Sequence, residues 1–168
     1  MTTNNLSLND TIYFHGSRIN DITQLIIQPN NHCAFGPAIY LSEEESTAAY
    51  YTREGGAMYT VKVAGNEAFT INLDLSYAEQ TPEAKRAIIN SLDAMSAKRT
   101  VTRSKNIREI IHWDSTRAGE LNTALSHNGI WLVYGHLSGM EYSGSQDKGV
   151  HYAVLNEAHA KIIESVAW

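Results

Sequence analysis

Cysteine is nearly absent. Cys33 is the single example in 168 residues, so the chain holds no internal disulfide. No set of Cys and His residues has zinc-ligand spacing, and His112, His127, His136 and His159 are too scattered to suggest a metal site. Beside Cys33 stands only His32, and a sequence neighbour generally points elsewhere, which argues against a thiol nucleophile. No apolar run approaches the length that spans a bilayer, so no membrane partner is expected. The opening residues Met1-Thr2-Thr3-Asn4-Asn5 lack the basic and apolar regions of a signal peptide, so the expected location is the cytoplasm of a producing cell or a host. Charged residues reach only 18%, against 43% hydrophobic. That composition is globular, and the length fits one compact domain over 1–168.

The net charge of −5 argues against a protein that coats nucleic acid, yet it hides an asymmetry. The segment 85–117 carries Lys85, Arg86, Lys98, Arg99, Arg103, Lys105, Arg108 and Arg117, opposed by Asp93, Glu109 and Asp114. Read plainly it is a solvated helical face. Read more sharply it is a docking surface for an acidic partner or a nucleic acid acceptor.

Short β-branched and aromatic runs alternate with turn residues. Strands are expected over 11–14 running into His15-Gly16, over 38–41, 58–63, 69–73, 130–137 and 150–155. Apolar positions Ile19, Ile22, Leu25 and Ile26 have helical spacing, so a helix is expected over 19–27. Ser42 with Glu45 three residues on is a capping-box signal for a helix running through Tyr50. Thr81-Pro82-Glu83 opens a further helix, and helical patterning continues with interruptions to about residue 127, where Asn128-Gly129 marks the exit. The last segment, 160–166, reads as a strand or a short helix. The fold class is therefore α+β, a mostly antiparallel, split sheet around a helical insert.

Three separated pieces carry chemistry. In Tyr13-Phe14-His15-Gly16-Ser17-Arg18, a histidine at a strand end can bond a ribose hydroxyl, and the adjacent glycine leaves backbone open to a ligand. Alone, His-Gly is more simply a buried histidine before a turn. In the second piece, Phe35-Gly36-Pro37-Ala38-Ile39-Tyr40-Leu41-Ser42 leads through a helix to Tyr50-Tyr51. Two tyrosines held apart by a strand–helix unit make a slot for a flat heterocycle, although tyrosines at element ends often just cover a core.

These strings, in this order and spacing, resemble the NAD-binding half of the poly(ADP-ribose) polymerases and the wider diphtheria-toxin-like ADP-ribosyltransferases. The likeness covers roughly 12–63 and 150–163. It implies an ADP-ribosyltransferase-like split antiparallel core and NAD as co-substrate. His15 would bond the adenosine ribose, Gly16 the nicotinamide carboxamide through its main chain, and Tyr40 and Tyr51 would sandwich the nicotinamide ring, with Ser17 beside them. Ala48 stands where such enzymes often place a serine, a departure that either weakens NAD binding or shifts that contact to Ser42.

The third piece departs further. The family opens its last core strand with glutamate, whereas the best match here, His151-Tyr152-Ala153-Val154-Leu155-Asn156, places His151 there. A shift onto Asn156-Glu157 recovers a glutamate but spoils the strand pattern, so Glu157 is expected in the following turn. Loss of nicotinamide leaves positive charge on the ribose, which a nearby carboxylate favours and a protonated histidine opposes. Asp147, in the polar loop 138–149, is the first candidate for that acid and Glu141 the second; ordinary loop solvation is the plain reading of both. Some compact phage-encoded members, including anti-CRISPR ADP-ribosyltransferases, look similarly reduced at this end.

The expected activity is mono-ADP-ribosyl transfer to a macromolecular acceptor, a protein first and a nucleic acid second, by a toxin, effector or phage counter-defence protein. Its first rival is a catalytically inactive NAD- or ADP-ribose-binding module, followed by an RNA 2′-phosphotransferase and a partner-blocking interaction protein.

Overall fold

The structure is a computed structural model that describes residues 7–28, 35–95, 118–136 and 150–168. Seven strands form one sheet: β1 (Tyr13–Ser17), β2 (Ile39–Ser42), β3 (Ala57–Val63), β4 (Thr70–Asn72), β5 (Leu132–His136), β6 (Val150–Val154) and β7 (Ala160–Ala167). Their order is β4-β5-β6-β2-β1-β3-β7. The β4–β5 pair is parallel and the other neighbours are antiparallel. The chain is therefore α+β, and its last segment is a strand.

Alternation along the strands sends side chains to two faces, and each face has its own core. On one side, Ile71, Val133 and Ala153 pack with Ala84, Ile88 and Leu92 of α2 (Pro82–Ala94) and with Leu121 and Leu125 of α3 (Ala118–His127). On the other, Tyr13, Leu41, Tyr59, Val61, Trp131, Leu132, Tyr152 and Val154 form a second cluster with Leu25. α2 begins as its sequence dictates: the Thr81 side chain accepts from Ala84 N–H, and Pro82 occupies the first turn, where its missing N–H costs nothing. Gly129, at φ 92°, makes the exit turn after α3, a conformation open to glycine at no steric cost.

Two expectations fail. Residues 19–27 form no helix; they run as an irregular strap over the second face. Four of the strap's backbone groups bond side chains instead: Ile19 N–H donates to Ser17 Oγ (3.1 Å), Ile19 C=O accepts from the Tyr59 hydroxyl (2.7 Å), Ile22 N–H donates to that hydroxyl (3.0 Å), and Ile27 N–H donates to Glu157 Oε1 (2.8 Å). Leu25 is buried beneath. Tertiary partners thus override a helical apolar period. The second failure is the cap of α1. This helix spans Glu45–Ala49 with Glu44 as its N-cap and no side-chain cap bond. Ser42 ends β2 instead, and its Oγ accepts from Glu44 N–H at 3.1 Å. Glu157 lies in a 3-10 turn after β6, as the strand pattern requires.

Candidate functional site

β1 and β2 are neighbours in the sheet, yet their register consists of the single pair Phe14–Ser42. On its far edge β1 pairs β3 along its whole length, from Tyr13–Val61 to Ser17–Ala57, and β2 pairs β6 from Ile39–Val154 to Ser42–His151. The two strands therefore part beyond Phe14, and where they part there is a cleft. Across it the His15 imidazole donates from Nδ1 to the Tyr40 carbonyl at 2.8 Å, a side-chain bond in place of a main-chain ladder.

The cleft has a volume of about 500 Å³, within the range of small-molecule sites. His15, Gly16 and Ser17 line it from β1, Tyr40 and Ser42 from β2, Thr47, Ala48 and Tyr51 from α1 and the turn after it, and His151 from the head of β6. The strap supplies an apolar wall of Ile19, Ile22, Leu25 and Ile26, with Gln28 at its end. His15, Gly16, Ser17, Tyr40, Ser42, Tyr51 and His151, the described site candidates of the sequence, thus line one cavity, and Glu157 does not. Asp147 and Glu141 lie outside the described residues, as do the six basic positions of 98–117. On α2, Lys85 sits 6.0 Å from the Tyr77 ring centroid and Arg86 is exposed.

Several groups are already committed. The Tyr40 hydroxyl accepts from Phe35 N–H at 2.9 Å and donates to the Gly36 carbonyl at 2.5 Å, so its phenol is tied back into the turn before β2. That turn is held in place by Asn122 of α3, whose buried amide donates to the Phe35 and Pro37 carbonyls at 2.8 and 2.9 Å. The Phe35 ring stacks on Tyr40, with centroids 6.4 Å apart and planes 22° from parallel. Tyr40 is consequently a fixed platform that offers its ring. Tyr51 is its opposite: 45% exposed, packed edge-on against Tyr50 at 5.3 Å.

His15 has a defined polarity. Burial lowers its pKa below the usual histidine value, against the opposing pull of the bond to Tyr40, so the ring is neutral near pH 7. A carbonyl only accepts, so Nδ1 carries the proton and Nε2 presents a lone pair. The ring is built to receive a hydroxyl or amine hydrogen. Ser42, buried and in register with His151, still has its hydroxyl hydrogen to donate.

Gly16 has a packing reason that the sequence reading did not see. A side chain there would run into the Ala48 carbonyl and the Thr52 methyl, because α1 lies directly on β1. Ala48 itself is buried, and its carbonyl also accepts from Tyr51 N–H at 3.1 Å, which starts the turn that carries the second ring to the cleft.

Among the described residues, none that lines the cleft is a carboxylate. Glu43 is not among the lining residues; it accepts from the Tyr152 hydroxyl, whose ring packs in the second core cluster. The sequence reading also missed the whole strap wall. Its isoleucines were visible, but their helical spacing disguised an extended segment.

Among the described residues, no group of His, Cys, Asp and Glu could hold a metal ion, and no helix is long and apolar enough to cross a membrane. No family model and no curated protein matches the sequence. A solved structure described as the crystal structure of an anti-CRISPR protein is similar over 91% of this chain and 95% of that one, with a TM-score of 0.48 and 14% identity. A likeness of that degree leaves function to be read from the cleft.

Proposed function

We propose that the cleft binds NAD and that the protein is a mono-ADP-ribosyltransferase acting on a macromolecular acceptor, a protein rather than a nucleic acid. One observation carries the reading: His15, Tyr40 and Tyr51, chosen for their order and spacing, line a single cavity where the sheet splits. The Tyr40 ring, locked from behind by Phe35 and its own hydroxyl bonds, is a preorganised face for a flat pyridinium. Tyr51 would close over the other face. The Nε2 lone pair of His15 suits a ribose hydroxyl, and the Ser42 hydroxyl suits the carboxamide oxygen.

Bound NAD would supply a ribose carbon from which nicotinamide departs. The protein's part is to fix the ring, exclude water along the isoleucine wall and present that carbon to the acceptor. The acid expected beside the ribose is Asp147 or, second, Glu141. In sequence both fall between β5 and β6, and the head of β6 brings His151 to the cleft. A role as a toxin, effector or phage counter-defence protein, and a docking role for segment 85–117, belong to this proposal and rest on the resemblance and on charge.

A second reading has its own support. With His151 at the head of β6 and no described carboxylate on the cleft, the same site fits an NAD- or ADP-ribose-binding module without transfer. Incubation with labelled NAD and a cell lysate, with and without RNase, separates the two. Transfer predicts nicotinamide release and label retained on an RNase-resistant acceptor, both lost in His15→Ala and Asp147→Ala. Saturable NAD binding without nicotinamide release establishes the binding module.

A further inference from the structure

The strap 19–28 forms the apolar wall of the cleft, yet two of the side chains that hold its backbone are not in the cleft. Tyr59, fully buried in the middle of β3, places one hydroxyl between two strap groups: it accepts from Ile22 N–H at 3.0 Å and donates to Ile19 C=O at 2.7 Å. Glu157, in the turn after β6, accepts from Ile27 N–H at 2.8 Å. The two ties come from different places in the fold, Tyr59 from β3 beside β1 and Glu157 from the connection between β6 and β7, and they hold the two ends of the strap. Between them Leu25 is the buried anchor, while Ile19 and Ile26 remain exposed at 58% and 56%.

We propose that Tyr59 and Glu157 are positioning residues that hold the strap at its two ends and set its isoleucines against the ligand. An irregular segment has no ladder to hold its course, so its backbone direction follows whichever side chains satisfy its N–H and C=O groups. Removing the Tyr59 hydroxyl frees the Ile19–Ile22 end; removing the Glu157 carboxylate frees the Ile27 end. Either loss widens the range of positions open to Ile19, Ile22 and Ile26. The cost falls on ligand affinity, because a wall that must be ordered on binding takes that entropy from the binding free energy. The link to NAD rests on the functional reading above; the ties themselves do not.

Tyr59→Phe, Glu157→Ala and Glu157→Gln, with the wild-type chain, test this by two measurements. The first is amide hydrogen exchange at Ile22 and Ile27 in the free protein; the second is the Kd for NAD by calorimetry. Expected are faster exchange at Ile22 in Tyr59→Phe and at Ile27 in Glu157→Ala, with Kd raised about tenfold in each, the scale of one lost hydrogen bond. Glu157→Gln, which keeps a carbonyl acceptor, should restore both readouts. Faster exchange with an unchanged Kd, beside normal wild-type binding, overturns the positioning role alone. Unchanged exchange overturns the ties. Failure of the wild-type protein to bind NAD overturns the functional reading and the affinity claim with it, whatever the exchange shows.

Discussion

The two walls of the cleft are made in different ways. One is built from regular structure: β2 carries Tyr40 and Ser42, α1 carries Thr47 and Ala48, and a turn delivers Tyr51. Its parts are braced by packing, with Ala48 pressed onto Gly16 and Phe35 onto Tyr40. The other wall is an irregular strap of isoleucines held by a serine, a tyrosine, a glutamate and one buried leucine. Apart from Gln28 at the end of the strap, the polar and aromatic groups that line the cleft lie on the braced wall, on β1 or at the head of β6. The strap contributes shape and dryness. A site can thus keep its recognition on stiff elements and leave its lining to a segment of lower local stability.

The sharpest way to break this contrast is to disturb the brace. Gly16→Ala places a methyl against the Ala48 carbonyl, so α1 must shift. The expected loss is about 1–3 kcal/mol of stability, as for overpacking elsewhere, with NAD affinity lost as well. Chemical denaturation measures the first and calorimetry the second. An Ala variant as stable as the parent would show that α1 is not seated on β1.

A smaller effect is expected at the exposed edge of the same wall. Tyr51→Ala removes a half-exposed ring that stabilises little but lines the cleft. The melting temperature should hold, while NAD affinity falls about tenfold, the scale of a lost aromatic stack. Equal affinity in the variant would remove Tyr51 from the site.

The smallest effect is on pH dependence, and it tests the strand that joins the two walls. Burial lowers the folded pKa of His15 below its unfolded value of about 6.5. Between those values the unfolded chain binds more protons. The contribution of His15 is therefore complete above about pH 6.5, declines as pH falls towards the folded value, and is flat below it. His15→Gln, whose amide can still donate to the Tyr40 carbonyl, should flatten that part of the curve. Denaturant midpoints across this pH range decide it, and an unchanged slope would mean that His15 is not the group responsible.

Much of this was legible in the residues. Short β-branched and aromatic runs announced six of the strands, and Thr81-Pro82 announced α2, because both signals are local. The grouping of His15, Tyr40 and Tyr51 was legible through the spacing that supports the resemblance. The strap was not. Ile19, Ile22, Leu25 and Ile26 carry a helical period, while the bonds that oppose a helix come from Tyr59 and Glu157, 37 and 130 residues along the chain from their partners. Gly16 was legible as a special position, but its reason, a helix lying on it, is tertiary. The tie from Asn122 to the turn before Tyr40 spans 87 and 85 residues and leaves no local trace.

Strand order also bears on how the protein is made. β2 emerges early from the ribosome, but its neighbour β6 is synthesised more than a hundred residues later. Until then β2 lacks the partner that sets it apart from β1, and loop closure of that length is a slow, late event in folding. A nascent chain that stops short of Val150 holds His15, Tyr40 and Tyr51 and has no cleft to put them in.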